Sequence, residues 1–82
     1  MHSVYILRSE RNGRLYIGYS QDVERRLGHH NSGRVTATRY LRPLRLAYVE
    51  PHQTLTQARQ REYYLKRQKS RKVLEELIGG GG

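Results

Sequence analysis

Residues 16–33 read YIGYSQDVERRLGHHNSG, and this run constrains the chain more than any other. Leu15, Tyr16 and Ile17 are apolar β-formers. Gly18 breaks the run and permits close approach of another backbone or a ligand. Asp22 offers a carboxylate suited to a helix N-cap. Val23, Arg26, Leu27 and His30 then recur at three-and-four spacing, on one face of a helix. Asn31, Ser32 and Gly33 end it, with Asn31 or Gly33 able to turn left-handed. A strand therefore turns into a helix whose inward stripe carries an arginine and a histidine. Packing alone does not require that.

The flanking sequence supplies the rest of a sheet. Ser3 to Arg8 (SVYILR) reads as a strand, and Arg14 to Tyr19 as its return. Asn12-Gly13, inside the turn from Glu10 to Gly13, is the strongest short hairpin signal. Alternation puts Ser3, Tyr5 and Leu7 on one face and Val4, Ile6 and Arg8 on the other. Tyr16 and Gly18 share a face of the second strand, opposite Leu15, Ile17 and Tyr19. One tyrosine per strand can then meet on a common face, if the register allows.

Gly33 to Arg42 is irregular, basic and hydroxyl-rich, and reads as a loop. Pro43 starts a new extended run. Leu44 to Glu50 alternates, with Leu44, Leu46 and Tyr48 on one face and Arg45, Ala47 and Val49 on the other. It reads as a third strand that Pro51 ends. Thr54 and Gln57 form a capping box for a helix reaching about Arg67. Its stripe is Leu55, Ala58 and Leu65, with Glu62 between the last two. A short final helix, about Ser70 to Ile78, lays Val73, Leu74, Leu77 and Ile78 over the core. Residues 79–82 are glycines with nothing to pack, expected as a disordered tail. The expected architecture is α+β: a three-stranded, mainly antiparallel sheet with packed helices, in the order β-β-α-β-α-α, as one domain over 1–78.

Composition narrows the class of partner. An 82-residue chain buries roughly 60% of its unfolded surface, so the core is small. Seven tyrosines fill it in place of Phe and Trp, which are absent. Sixteen Lys+Arg against seven Asp+Glu leave a formal charge of +9. Polyanions are the natural partners, nucleic acid first. The basic residues are spread along the chain, which disfavours a membrane-surface helix. No apolar run approaches a membrane span and no signal-peptide pattern opens the chain. The lack of cysteine excludes disulfides and thiolate metal sites, and fits a cytoplasmic protein.

Several residues carry chemistry. A carboxylate in a buried stripe is costly unless paired or metal-bound. Glu62 therefore reads either as a ligand for Mg²⁺ or Mn²⁺, or as one half of a buried ion pair, for example with an arginine of the basic loop. Arg26 matches phosphate geometry with two parallel donors, or else lies on a solvated face. His30, one turn on, shares a proton, contacts phosphate or closes the helix end. Tyr5 and Tyr16 are core tyrosines, or one of them takes a proton from an attacking water. Arg34, Thr36, Thr38 and Arg39 suit phosphate contacts. There is no Gly-rich phosphate loop, no serine–histidine–aspartate set and no zinc-ligand spacing.

In order, these residues resemble the GIY-YIG nuclease family. Val4-Tyr5-Ile6 and Tyr16-Ile17-Gly18 look like its paired tripeptides, with Val4 where the name has glycine. Asp22, Arg26-Leu27, His30-Asn31, Gly33, Thr38-Arg39, Arg42-Pro43 and Ala58-x-x-x-Glu62 with Leu65-Lys66 follow in the family's sequence. The likeness spans Val4 to Ile78 and is greatest to short, single-domain bacterial members, which are similar to the nuclease domain of the bacterial excision-repair endonuclease. It implies a Mg²⁺- or Mn²⁺-dependent DNA endonuclease, with RNA as an alternative substrate, acting in repair or recombination. The alternative is a nucleic-acid-binding module with the same fold and little cleavage. The resemblance puts the metal on Glu62, transition-state charge on Arg26, the general base on Tyr16 or Tyr5, and His30 in support. Arg34, Thr38, Arg39, Arg42 and Lys66 would hold nucleic acid. The asparagine that many members carry beyond the glutamate has no counterpart near Leu77-Ile78.

Overall fold

The computed structural model describes residues 1–80 of the chain. Its sheet is built on β1 (His2–Ser9), which lies between β2 (Leu15–Ser20) and β3 (Leu44–His52), antiparallel to both. Helix α1 (Val23–Asn31) and a 3-10 turn (Thr36–Leu41) separate β2 from β3; α2 (Leu55–Lys66) and α3 (Lys72–Gly80) follow. The expected order of elements and the antiparallel sheet are both found.

Alternation along β1 divides the core in two. Val4 and Ile6 face α2 and α3, packing with Ile17, Ala58, Leu65, Leu74, Leu77 and Ile78. Tyr5 and Leu7 face α1 and the 3-10 turn, packing with Leu44, Tyr16, Val23, Leu27 and Leu41. Val4, Ile6 and Leu7 are wholly buried. Burial of such side chains is worth about 1.5–3 kcal/mol each, which makes β1 the spine of a core with few other large apolar groups.

The turns follow from particular side chains. The buried Ser9 hydroxyl accepts from the Arg11 and Asn12 amides and donates to the Leu41 carbonyl at 2.6 Å. It thereby ties the hairpin turn to the 3-10 segment. Asp22 caps α1 through the Arg25 amide, and Gly33 takes the left-handed turn after it at φ +83°. Thr54 and Gln57 complete the capping box of α2. Arg8 and Arg71 both bind the Glu75 carboxylate, and Arg71 also reaches the Gly13 carbonyl at 2.9 Å. Hydrogen bonds from the two guanidiniums hold the Glu75 carboxyl down at about 2.

Five expectations change. Residues 36–41 form a 3-10 turn, not an open loop. Strand β3 runs through Pro51 to His52, because it lies at the sheet edge, where a missing amide donor is tolerated. Its alternation also breaks. Ile6 pairs with Tyr48 but Leu7 pairs with Leu46, leaving Ala47 as an extra residue in a bulge. Leu44 therefore packs beside Tyr5, whereas Tyr48 packs on the opposite face. Leu55, placed in the α2 stripe, is 42% exposed. Helix α3 takes in Gly79 and Gly80; of the expected glycine tail, 81 and 82 lie outside the described residues.

Candidate active site

The site starts from the hairpin register. Tyr5 pairs with Gly18 and Leu7 with Tyr16, so both phenols stand on the α1 face. The Tyr5 ring lies across Gly18. A Cβ added there would sit 2.5 Å from the Tyr5 hydroxyl and 2.6 Å from Cζ. The glycine of the second tripeptide is thus the space through which Tyr5 runs.

His30 fills the centre. It is wholly buried, with its ring centroid 5.9 Å from that of Tyr5 and 5.0 Å from that of Tyr16, both edge-on. Nε2 meets the Tyr5 hydroxyl at 2.9 Å and Nδ1 meets Thr38 Oγ1 at 2.7 Å. The Thr38 hydroxyl donates to the Val35 carbonyl at 3.4 Å. Its lone pair then accepts the His30 Nδ1 proton, and Nε2 accepts from Tyr5. Burial drops the His30 pKa to about 4, helped by the positive charges of Arg26 and His29. The ring is therefore neutral at pH 7, which such a two-bond relay requires.

Burial also pushes the Tyr5 hydroxyl above the ordinary phenol value, outweighing the Arg26 guanidinium beside it; the nearby Tyr16 and Glu62 raise it further. Arg26, Tyr16 and Glu62 all act on this one hydroxyl. The charges of an arginine on α1 and a carboxylate on α2 thus bear on the same phenol, although their helices pack on opposite faces of the sheet. This is possible because β2 is an edge strand and α2 reaches round it. Lys66 does so too, with its Nζ 5.9 Å from the Tyr16 ring centroid.

Glu62 is 17% exposed and pairs with Lys66 Nζ at 3.5 Å, one helical turn on. Its ion pair is therefore with a lysine of its own helix, not with an arginine. It opens onto a cleft of about 420 Å³ lined by Tyr19, Thr56, Arg59, Gln60, Glu62 and Tyr63. Arg26 opens onto a second cleft, of about 310 Å³, lined by Ser20, Gln21, Asp22, Arg25, Arg26 and His29. Tyr19 and Ser20 are adjacent at the end of β2, so the two clefts lie on either side of that strand end.

Among the described residues no three His, Cys, Asp or Glu side chains come together to hold a metal ion. A lone carboxylate at a cleft still fits a hard divalent cation, which keeps several waters and takes its remaining oxygens from a phosphate. It does not fit a structural metal.

The other expected contacts divide. Arg34, Arg39 and Arg42 are exposed. Arg39 and Arg42 are steadied by their bonds to the Gly33 and Arg39 carbonyls. Thr38 is wholly buried and bonded to His30, so it does not reach a phosphate. The 3-10 turn hides it, which an open loop would not. Composition and spacing had not singled out Tyr19, Arg59 or Tyr63. Tyr19 follows from alternation, on the α2 face with Leu15 and Ile17; the other two needed the packing of α2 against β2.

A three-stranded antiparallel sheet carrying these groups in this order is that of the GIY-YIG proteins. The family model for the GIY-YIG catalytic domain matches residues 1–75, and the chain belongs to that family. Within it, the chain is 39% identical over 79 residues to a UPF0213 protein of Staphylococcus saprophyticus, covering 92% of this chain and 95% of that one. It is 42% identical over 81 residues to a UPF0213 protein of Bacillus cereus, covering 98% and 82%. The solution structure of the UPF0213 protein of Bacillus halodurans superposes with a TM-score of 0.60 at 37% identity, covering 95% of this chain and 82% of that one. None of the helices described is long and apolar enough to cross a membrane.

Proposed function

We propose that this protein is a divalent-metal-dependent endonuclease that hydrolyses phosphodiester bonds in DNA. The observation that carries the reading is the Tyr5–His30–Tyr16 cluster, with the Arg26 guanidinium beside the Tyr5 hydroxyl and Lys66, paired to Glu62, near the Tyr16 ring. The +9 charge supplies the attraction for a polyanion.

Each residue has a distinct task. Arg26 donates to the phosphate oxygens as charge builds on them. Tyr16, the less buried phenol, acts as the phenolate and takes a proton from the attacking water, whose oxygen bonds to phosphorus as the sugar oxygen leaves and takes a proton from solvent. Lys66 sets a positive charge beside that phenol. Tyr5 stays protonated and, through its bond to His30, holds the Arg26 end of the pocket in place. His30 is buried and neutral, so it positions Tyr5 and does not touch phosphate. Glu62 would hold one Mg²⁺ or Mn²⁺, which when bound supplies Lewis-acid stabilisation of the phosphate. Arg34, Arg39 and Arg42 would hold the backbone beyond the site. Repair or recombination of DNA in the cytoplasm is the setting this chemistry suits.

The Glu62–Lys66 pair favours a second reading, a binding module whose carboxylate is already neutralised. Incubation with labelled single-stranded, duplex and branched DNA, with Mg²⁺, with Mn²⁺ and with chelator, separates the two. Metal-dependent strand scission supports the endonuclease. Retention of every substrate without scission supports the binding module.

A further inference from the structure

We infer that Tyr19 and Tyr63 form a stacking subsite for one unpaired nucleobase, in the Glu62 cleft and next to the phosphate that Arg26 holds. The inference rests on the nucleic-acid reading above and adds to it the residues that select the substrate's shape. Like Tyr40 and Tyr64, Tyr19 and Tyr63 are exposed, Tyr19 at 37% and Tyr63 at 61%. Both line the cleft that contains Glu62. What sets Tyr19 and Tyr63 apart from the exposed Tyr40 and Tyr64 is that two rings from different elements share one cleft.

Tyr63 is also braced. The Arg67 guanidinium stands over its ring at 5.2 Å, in a neighbouring cleft that Tyr63, Tyr64, Arg67 and Gln68 line. The ring therefore forms a wall between two clefts, with a cation on one side and the Glu62 cleft on the other. A cation on one face of a ring leaves the opposite face for a flat partner. Thr56 and Gln60, on the same cleft, supply polar groups that suit a base edge, and Arg59 supplies charge for the adjoining phosphate.

The placement gives the nucleic-acid path a direction. The cleft on the α1 side of β2 is lined by Arg25, Arg26 and His29, and is a place for phosphates. The cleft on the α2 side is aromatic and is a place for a base. A strand crossing the end of β2 between them would put its backbone on Arg26 and splay one base against Tyr19 and Tyr63. A base paired in a regular duplex cannot enter. The nucleobase is recognised by its π-face, so the subsite tolerates any base.

The test is fluorescence of a short single strand carrying one 2-aminopurine, titrated with protein in metal-free buffer, beside cleavage of the same strand in Mg²⁺ or Mn²⁺. The 2-aminopurine is quenched on wild type. Tyr19→Ala and Tyr63→Ala lose the quench and bind roughly five- to a hundredfold more weakly. Tyr63→Phe keeps both, because the ring and not the hydroxyl makes the stack. Tyr40→Ala, at a tyrosine that is 74% exposed but lines neither cleft, is unchanged. The salt dependence of binding stays that of wild type in the tyrosine variants and falls in Arg59→Ala. If wild type binds and cuts but the alanine variants match it in quench and affinity, the subsite is overturned and the nuclease reading stands. If Tyr63→Phe fails as Tyr63→Ala does, stacking is overturned likewise. If wild type neither binds nor cuts, both readings fall together.

Discussion

The Tyr5 hydroxyl meets His30 Nε2 at 2.9 Å inside the fold, and neither group reaches solvent. This bond joins the first strand to the first helix, and the pocket of Arg26 is built around it. Removing one partner leaves a buried polar atom orphaned. His30→Ala strands both Tyr5 and Thr38 and opens a cavity, and is expected to cost about 2–4 kcal/mol. Urea denaturation of wild type and variant measures it. Cleavage should fall in His30→Ala even where the variant stays folded.

Stability should depend on pH in a definite direction. His30 falls from 6.5 to about 4 on folding, so the unfolded chain binds the extra proton. Its contribution is complete above pH 6.5 and is lost as the pH falls from 6.5 to about 4. Near pH 7 it is worth about 3 kcal/mol. Glu75 is depressed from 4.5 to about 2, so the clamp on α3 weakens separately, as the pH falls through that lower range. Denaturation midpoints from pH 8 to pH 3 should show both declines. His30→Gln should remove the upper one and leave the lower.

Gly18→Ala tests the space through which Tyr5 runs. The new methyl would overlap the Tyr5 ring, which His30 pins from the other side. A cost of about 1–3 kcal/mol is expected from this overpacking. The NMR signals of the His30 ring should shift with it. Gly28→Ala, with open space around its Cβ position, is the matching control and should be neutral or stabilising.

Much of this site was legible in the chain. Period-two alternation allowed both phenols to share a face, which the pairing of Leu7 with Tyr16 settles, and three-and-four spacing turned Arg26 and His30 inward. The arginine, histidine and glutamate could therefore be named without coordinates. What was not legible depended on packing between distant segments. Ala47 forms a bulge only because β1 and β3 pair in a particular register, so Tyr48 was placed on the wrong face. Thr38 reads like any hydroxyl in a basic loop until the 3-10 turn closes over His30. Leu55 obeyed the helix period but lies at a helix end beyond the sheet. The Glu62–Lys66 pair has the spacing of four that sets two side chains together on one helical face, a local partner that competes with any arginine from a distant loop.

Arg26 and Glu62 should separate catalysis from stability. Both are partly buried, so replacing either should lower the unfolding free energy by about 1 kcal/mol and leave the fold intact. Arg26→Lys should not rescue Arg26→Ala, since an ammonium lacks the paired donors that a phosphate needs. Chelation of the metal should abolish cleavage by wild type while leaving DNA binding in place.

The central claim is that groups from α1 and α2 act on one phosphate round the edge of β2. Single-turnover cleavage of labelled DNA by wild type, Arg26→Ala, Glu62→Ala and the double variant tests it most directly. Each single substitution should slow scission roughly a hundredfold or more, and the double should be little slower than the worse single, as expected of residues that work as a unit. Cleavage by either single variant at the wild-type rate would contradict the account, as would a wild type that cuts none of the substrates.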